Sequence, residues 1–318
     1  MMATQVSVAG GQLATEFEEN PRSGLARAMS RNAGVFYVLP ATILLVLITL
    51  FPFLYLIYNS LMRWNLQRAY LGQAFIGLQN YRNMVADPLF WDSLRVTAFA
   101  TVGIVVVQLV LGMILALLLS RQMAGRRVLR SLFLLPLITT PVVVGLTWRM
   151  LFNADLGMIN YVLRSLGLPE PLWLASTAWA LPSIIITDTW QVVPFVTLMF
   201  VAGLQSLPVE PREAATIDGA GPVRIFFDII LPQLKPLIFL AMLFRVTDAL
   251  RLFDLIYVMT SGGPANATQT LNLYAFKVGF TFLDIGYGSA LAVALMAICV
   301  GLSLIIIRYS GLEVEGKA

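Results

Sequence analysis

The chain has 318 residues, 58% of them hydrophobic and 12% charged, with a mean hydropathy of +0.82. Soluble domains carry about 25% charged residues, so this composition excludes a water-covered globule and any large domain outside the membrane. The formal charge of +4 would suggest nucleic acid in a soluble protein. Here the Lys and Arg gather beside apolar runs, as membrane orientation requires.

The chain begins with a polar segment containing Glu16, Glu18, Glu19, Arg22, Arg27 and Arg31 and no apolar core before Val35. It lacks the proportions of a cleavable signal peptide, so residues 1–33 read as a cytoplasmic tail. Apolar runs follow at about Val35 to Leu61, Val96 to Leu119, Leu132 to Phe152, Ala180 to Leu204, Leu237 to Met259 and Ser289 to Ile307. Each is long enough to cross the hydrocarbon layer. The expected fold is an all-α integral membrane protein with six transmembrane helices over residues 34–311, followed by a short cytoplasmic tail over 312–318.

Basic residues set the orientation. With the N-terminus inside, the inner face holds Arg22, Arg27, Arg31, Arg121, Arg126, Arg127, Arg130, Arg212, Arg224, Lys235, Arg308 and Lys317. The outer face holds a smaller set spread over longer loops, although four arginines in the first external loop oppose the rule. Both termini are therefore expected in the cytoplasm. Pro40, Pro52, Pro136, Pro141, Pro182 and Pro194 lie in or beside spans, where each removes a backbone donor and bends a helix. Such bends serve either as tolerated irregularities or as the joints of a bundle that rocks between two states.

Several chemistries are missing from the inventory. There is no His, which removes His-based metal sites and proton relays. Cys299 stands alone in an apolar run. No phosphate-binding G-x-x-x-x-G-K-[ST] loop occurs, so ATP-driven work has to come from a partner. No catalytic residue, metal site or cofactor is expected.

A long polar stretch, residues 205–236, separates the fourth and fifth runs. Pro211 suits a first helical turn and Glu213 its positive end. Asp218-Gly219 then stops that helix. A second short helix is expected over Val223 to Ile230, with an apolar stripe of Ile225, Phe226, Ile229 and Ile230, ending at Pro232. The small Ala214 and Ala215 allow close approach by a partner.

Glu213-Ala214-Ala215, Asp218-Gly219-Ala220 and Ile230-Leu231-Pro232 resemble, without a gap in spacing, the EAA loop of permease subunits in binding-protein-dependent ABC importers. Leu252-Phe253-Asp254 through Gly262-Gly263-Pro264, with Ala267-Thr268-Gln269-Thr270-Leu271, is similar to the segment after the fifth span of maltose-type sugar permeases. Gly77-Leu78-Gln79-Asn80-Tyr81, Asp87-Pro88 and Phe90-Trp91 resemble the start of the same family's transmembrane module. The resemblance covers most of the chain from Val35 onward and is closest to the permease partner that carries the Gly-Gly-Pro segment. Relative to the larger maltose subunit, extra N-terminal helices and a big external insertion are absent. It implies a type I importer permease in a bacterial or archaeal cytoplasmic membrane, with the 205–236 loop as coupling helix. It also implies a homologous second permease, an ATP-binding cassette ATPase dimer and a periplasmic or lipid-anchored solute-binding protein as partners. Glu213, Ala214, Ala215, Asp218 and Gly219 would then meet the ATPase.

Charges inside a span cost about 2.5–3.5 kcal/mol each at its centre, so they require a partner or a wet cavity. The fifth run carries Arg245, Asp248, Arg251 and Asp254 with alternating sign at i, i+3 spacing, which permits pairing along one helix. Asp188 and Gln191 in the fourth run fall at overlapping depth. These residues therefore either neutralise one another or line a shared sugar-binding cavity with Trp190 as an aromatic face. Trp190 suits a lipid interface equally well. Asn272 and Tyr274 read either as ordinary loop polarity or as contacts to substrate or a delivery protein.

The expected function is import of a sugar or sugar derivative, a disaccharide for preference, by alternating access driven by a separate ATPase. Two arginines also permit a glycerol-phosphate-like or sulfonated substrate. An ion-coupled secondary transporter using Asp188 and Asp248 and an intramembrane enzyme using the same pair of carboxylates are the rival classes. The first leaves the 205–236 loop idle, and the second lacks a recognisable catalytic motif and has Arg245 beside one of its carboxylates.

Overall fold

The structure, a computed structural model, describes residues 33–120 and 131–310. The expected tail ahead of residue 33, the tail beyond 310 and the basic cluster from Arg121 to Arg130 lie outside those residues. The chain divides into two compact units, residues 1–55 and 56–318.

The described part of the first unit is one helix, α1, which runs Ala33–Ser60 and so ends within the second unit. Pro40 and Pro52 both sit inside it without ending it. Thr42 turns its hydroxyl back to the Val38 carbonyl at 3.0 Å, and Phe51 stacks on Tyr55 one turn later, 6.1 Å between centroids.

In the second unit a short antiparallel hairpin, β1 (Met62–Arg63) and β2 (Ala74–Phe75), leads to α2 (Gln79–Ala86) and α3 (Pro88–Ser120). The Gly77-to-Tyr81 motif explains itself here. Gly77 takes φ +58°, which a Cβ would oppose. Asn80, buried, donates its amide to the Ser60 and Met62 carbonyls at 2.8 and 3.0 Å. Asp87 accepts the Leu89 amide at 2.9 Å and so caps α3. Its other oxygen accepts the hydroxyls of Tyr274 and Tyr287, both at 2.6 Å.

After residue 130 come α4 (Leu135–Ile138), α5 (Pro141–Leu151), the surface helix α6 (Met158–Ser165) and the long α7 (Ala180–Ser206). The pairing of α3 with α7 is close. A Cβ on Gly112 would lie 2.7 Å from Val196 Cγ1, the small-residue packing by which membrane helices approach one another. Ala100, Ile104 and Ala116 of α3 and Ile184, Val196 and Phe200 of α7 are buried along the seam.

Next are α8 (Glu210–Ile217), α9 (Pro222–Gln233), α10 (Lys235–Leu250), α11 (Asp254–Met259), α12 (Leu271–Phe276), a widened turn over Lys277–Thr281, and α13 (Ile285–Ser310). By length and composition, four helices among the described residues can cross a membrane, at Tyr37–Ser60, α3, α7 and α13. The bent pair α9 and α10, which meet at 68°, adds a fifth only if the two together count as one span.

Three expectations need correction. The run from Leu132 to Phe152 is not one helix: Thr140 is extended ahead of Pro141 (ψ 143°), as the residue before proline prefers, and α5 restarts there. The run from Leu237 to Met259 is also broken, because α10 stops at Leu250 and α11 begins at Asp254. Carbonyls freed at that break are taken up from the side: Asn272 donates to the Arg251 carbonyl at 2.8 Å and Thr270 to that of Leu252 at 3.4 Å. Finally, α9 does not end at Pro232. A widened turn over Phe226–Ile230, in which the Leu231 amide reaches back to the Phe226 carbonyl, carries the helix through the proline to Gln233.

Candidate functional site

A cavity of about 370 Å³ is lined by Asp188, Gln191, Arg245, Asp248, Arg251 and Asp254, with Pro141, Val192 and the Leu252–Leu255 segment completing its wall. It therefore brings together five of the six proposed substrate-binding residues. Its volume falls within the range of about 300–1,000 Å³ common for small-molecule sites. Both helix breaks border it, since Pro141 opens α5 and residues 251–253 separate α10 from α11.

The cavity's polar groups form two layers. In the inner layer Arg245 and Asp188 are 4% and 8% exposed, and their guanidinium and carboxylate meet at 3.1 Å. Gln108 of α3, fully buried, closes a ring with them: its amide nitrogen donates to Asp188 Oδ2 at 2.7 Å and its oxygen accepts from Arg245 Nε at 2.6 Å. In the outer layer Asp248 and Arg251 are 56% and 60% exposed. One carboxylate oxygen of Asp248 receives Arg245 Nη1 at 3.2 Å and the other Arg251 Nη2 at 3.4 Å. Arg251 is steadied by a bond from Nε to the Thr247 carbonyl at 3.1 Å.

Self-pairing and an exposed, cavity-lining surface thus coexist. Each carboxylate oxygen can accept about two hydrogen bonds, so Asp248 retains acceptor capacity toward the cavity beyond its two arginines. The i, i+3 pairs 245/248 and 248/251 form as spacing predicts, but Asp254 belongs to α11 beyond the break. Gln191 both lines the cavity and donates to the Thr139 carbonyl at 2.9 Å, satisfying backbone freed where α4 ends.

Trp190 does not line this cavity. It is 44% exposed and packs edge-on against Trp148, 5.8 Å between centroids. Adjacent helical residues point about 100° apart, so Gln191 facing the cavity turns Trp190 away. Asn272 and Tyr274 are occupied by the Arg251 carbonyl and Asp87. Sequence reading missed Gln108, although it is the one amide in the run from Val96 to Leu119.

The second candidate surface is α8 with α9. Pro211 lies in the first turn of α8 and Glu210 and Glu213 are its first-turn acids. Asp218 follows the helix and Gly219 takes φ +81°, the left-handed stop that glycine allows. Glu213 and Ala214 are exposed and Ala215 half-buried. Ile225, Phe226, Ile229 and Ile230 form the more buried stripe of α9, as periodicity predicts, with Phe227 and Asp228 outward. A groove of about 1210 Å³ runs between these short helices and the ends of α3 and α7, with Arg212, Glu213, Thr216 and Ile217 on one wall.

Residues 108–310 match the family of binding-protein-dependent transport system inner membrane components. The chain is 39% identical over 278 residues to the sulfoquinovosyl glycerol transport system permease protein SmoG of Agrobacterium fabrum, covering 87% of this chain and 90% of that one. It is 37% identical over 234 residues to the trehalose/maltose transport system permease protein MalF of Thermococcus litoralis, covering 74% and 79%. In fold it is similar to a chain of a bacterial ABC transporter that imports alginate, with a TM-score of 0.77 at 19% identity, over 90% of this chain and 98% of that one.

Proposed function

Because this chain belongs to the family of inner membrane components of binding-protein-dependent transport systems, we propose that it is the permease subunit through which an ATP-driven importer moves a sugar. As a member of that family it is a multi-pass membrane transport component and not an enzyme.

The observation that carries the sugar reading is the half-exposed pair Asp248 and Arg251 on a buried, charge-matched floor. A carboxylate with free acceptor sites beside a guanidinium suits neighbouring hydroxyls, which donate to one and accept from the other. The cavity's ionisable lining carries two arginines and three aspartates, a balance of −1 that favours an uncharged sugar over an anion. A disaccharide agrees with the trehalose/maltose relative. The sulfonated sugar handled by the other relative would place its anionic group at Arg251, the more exposed of the two arginines.

The partners in this reading are a second homologous permease, a dimeric ATP-binding cassette ATPase and a solute-binding protein outside the cytoplasmic membrane. The ATPase docks on the α8 surface around Glu213, Ala214, Ala215, Asp218 and Gly219. Its closure on ATP moves that surface as a lever on α9 and α10, and the broken helices around the cavity change its access. The bend of 68° between α9 and α10 makes a motion of α8 and α9 into a tilt of the helix that carries Arg245 and Asp248. Both termini lie in the cytoplasm.

Uptake of radiolabelled trehalose by cells expressing the complete importer tests the substrate reading, with unlabelled sulfoquinovosyl glycerol as competitor. Trehalose uptake that falls at least tenfold in Arg251→Ala supports the assignment. Unchanged uptake of every sugar tried returns Arg251 to a structural role. Competition by the sulfonated compound at lower concentration than unlabelled trehalose moves the substrate to the anionic class.

A further inference from the structure

We propose that Gln108 is a positioning residue for the sugar-binding cavity, holding Arg245 so that the exposed Asp248 carboxylate faces the substrate in one orientation. The proposal rests on the sugar-import reading and adds to it a residue that does not itself line the cavity.

The ring joins three helices. Gln108 comes from α3, Asp188 from α7 and Arg245 from α10, and all three are buried. Every nitrogen of the Arg245 guanidinium is committed: Nε to Gln108 at 2.6 Å, Nη2 to Asp188 at 3.1 Å and Nη1 to Asp248 at 3.2 Å. A planar fork with three fixed partners has no freedom to rotate. Of these partners only Gln108 is neutral, and it bonds through both ends of its amide, accepting from Arg245 and donating to Asp188 at 2.7 Å. That polarity is what makes it specific. A carboxylate at position 108 would face Asp188 with like charge, and an apolar side chain would leave the buried Arg245 Nε without its acceptor.

The output of the ring is Asp248. Its Oδ2 is held by the ring through Arg245 and its Oδ1 by Arg251. Disturbing Gln108 rotates or releases Arg245 and so changes which lone pairs of Asp248 the sugar meets. The consequence is altered discrimination among sugars, a different outcome from uniform loss of transport.

The ring also has a swapped form that keeps both its charge and its bonds. When Gln108→Glu is combined with Asp188→Asn, the carboxylate now on α3 accepts from Arg245 Nε and from the amide now on α7, whose oxygen accepts from Arg245 Nη2. The test is ATP-driven uptake of radiolabelled trehalose and maltose by proteoliposomes holding the complete importer, with the same binding protein throughout. Any change in the trehalose-to-maltose ratio then arises in the permease. Gln108→Glu alone and Asp188→Asn alone are expected to shift that ratio by about threefold or more, a modest coupling for residues in one hydrogen-bonded network. The double variant is expected to return it to the wild-type value.

A ratio unmoved in both single variants, or a shift that the double variant fails to reverse, overturns the proposal. Single variants that fail to assemble while the double variant assembles with a wild-type ratio make the ring a folding tie and equally overturn it. Wild-type proteoliposomes that take up neither trehalose nor maltose overturn the disaccharide reading and, with it, this inference about how the cavity discriminates between them.

Discussion

The charged residues of the cavity were legible because ionisable groups in apolar runs stand out against their surroundings. Asp188, Arg245, Asp248 and Arg251 could be placed at overlapping depth by counting along helices, and the structure brings them to one cavity. Gln108 was not legible in the same way. A neutral amide makes little demand that its neighbours in sequence reveal, and its partners lie 80 and 137 residues away. The two layers of the site predict opposite phenotypes. Asp188→Leu leaves the buried Arg245 without its main counter-charge, at a cost of about 3–5 kcal/mol, and is expected to deplete the chain from membranes. Asp248→Asn, at a half-exposed position, is expected to keep wild-type abundance while changing sugar uptake. Quantitative immunoblots of membranes beside uptake rates separate the two, and equal abundance of both variants would contradict the layering.

Long helices followed from hydropathy, and their breaks did not. The stop at Leu250 has neither glycine nor proline to announce it; side chains of Thr270 and Asn272, some 20 residues on, supply the bonds that make it possible. The break at Thr140-Pro141 had a visible cause, yet whether proline bends a helix or ends it depends on what receives the freed carbonyl. Here Gln191 does. By contrast, α8 and its glycine stop are local chemistry and were readable almost to the residue.

Two element-scale outcomes follow. Gly112→Val drives a side chain into Val196 across the α3–α7 seam and is expected to lower stability by about 1–3 kcal/mol. A second change, Val196→Ala, should recover part of the thermal midpoint of the detergent-purified protein; no recovery would mean that the seam is not the source. Glu213→Lys reverses charge on the exposed face of α8 and is expected to abolish ATP-dependent uptake with the chain still inserted. Normal uptake would remove the coupling role from that helix.

At the scale of the whole molecule, the apolar composition required a membrane protein and the EAA-like and Gly-Gly-Pro segments pointed to its family, which the match over residues 108–310 establishes. Six unbroken spans were the simplest reading of six apolar runs, but two of those runs contain helix ends beside the cavity. A helix interrupted there leaves backbone polar groups that only protein or a water-filled space can satisfy, so the departures from regular spans coincide with the candidate site. Orientation is a separate expectation from charge bias. A reporter active only in the cytoplasm should work when fused after Lys317 and fail when inserted beside Gly167; the reverse pattern would invert the topology.

The most direct test of the central claim is to isolate the complex from its native membrane through a tag on this chain and measure sugar uptake after reconstitution. The account predicts recovery of a second permease and a nucleotide-binding ATPase, with trehalose or maltose uptake that requires both ATP and the solute-binding protein. A homo-oligomer without an ATPase, whose uptake persists without ATP and collapses with the proton gradient, would contradict it.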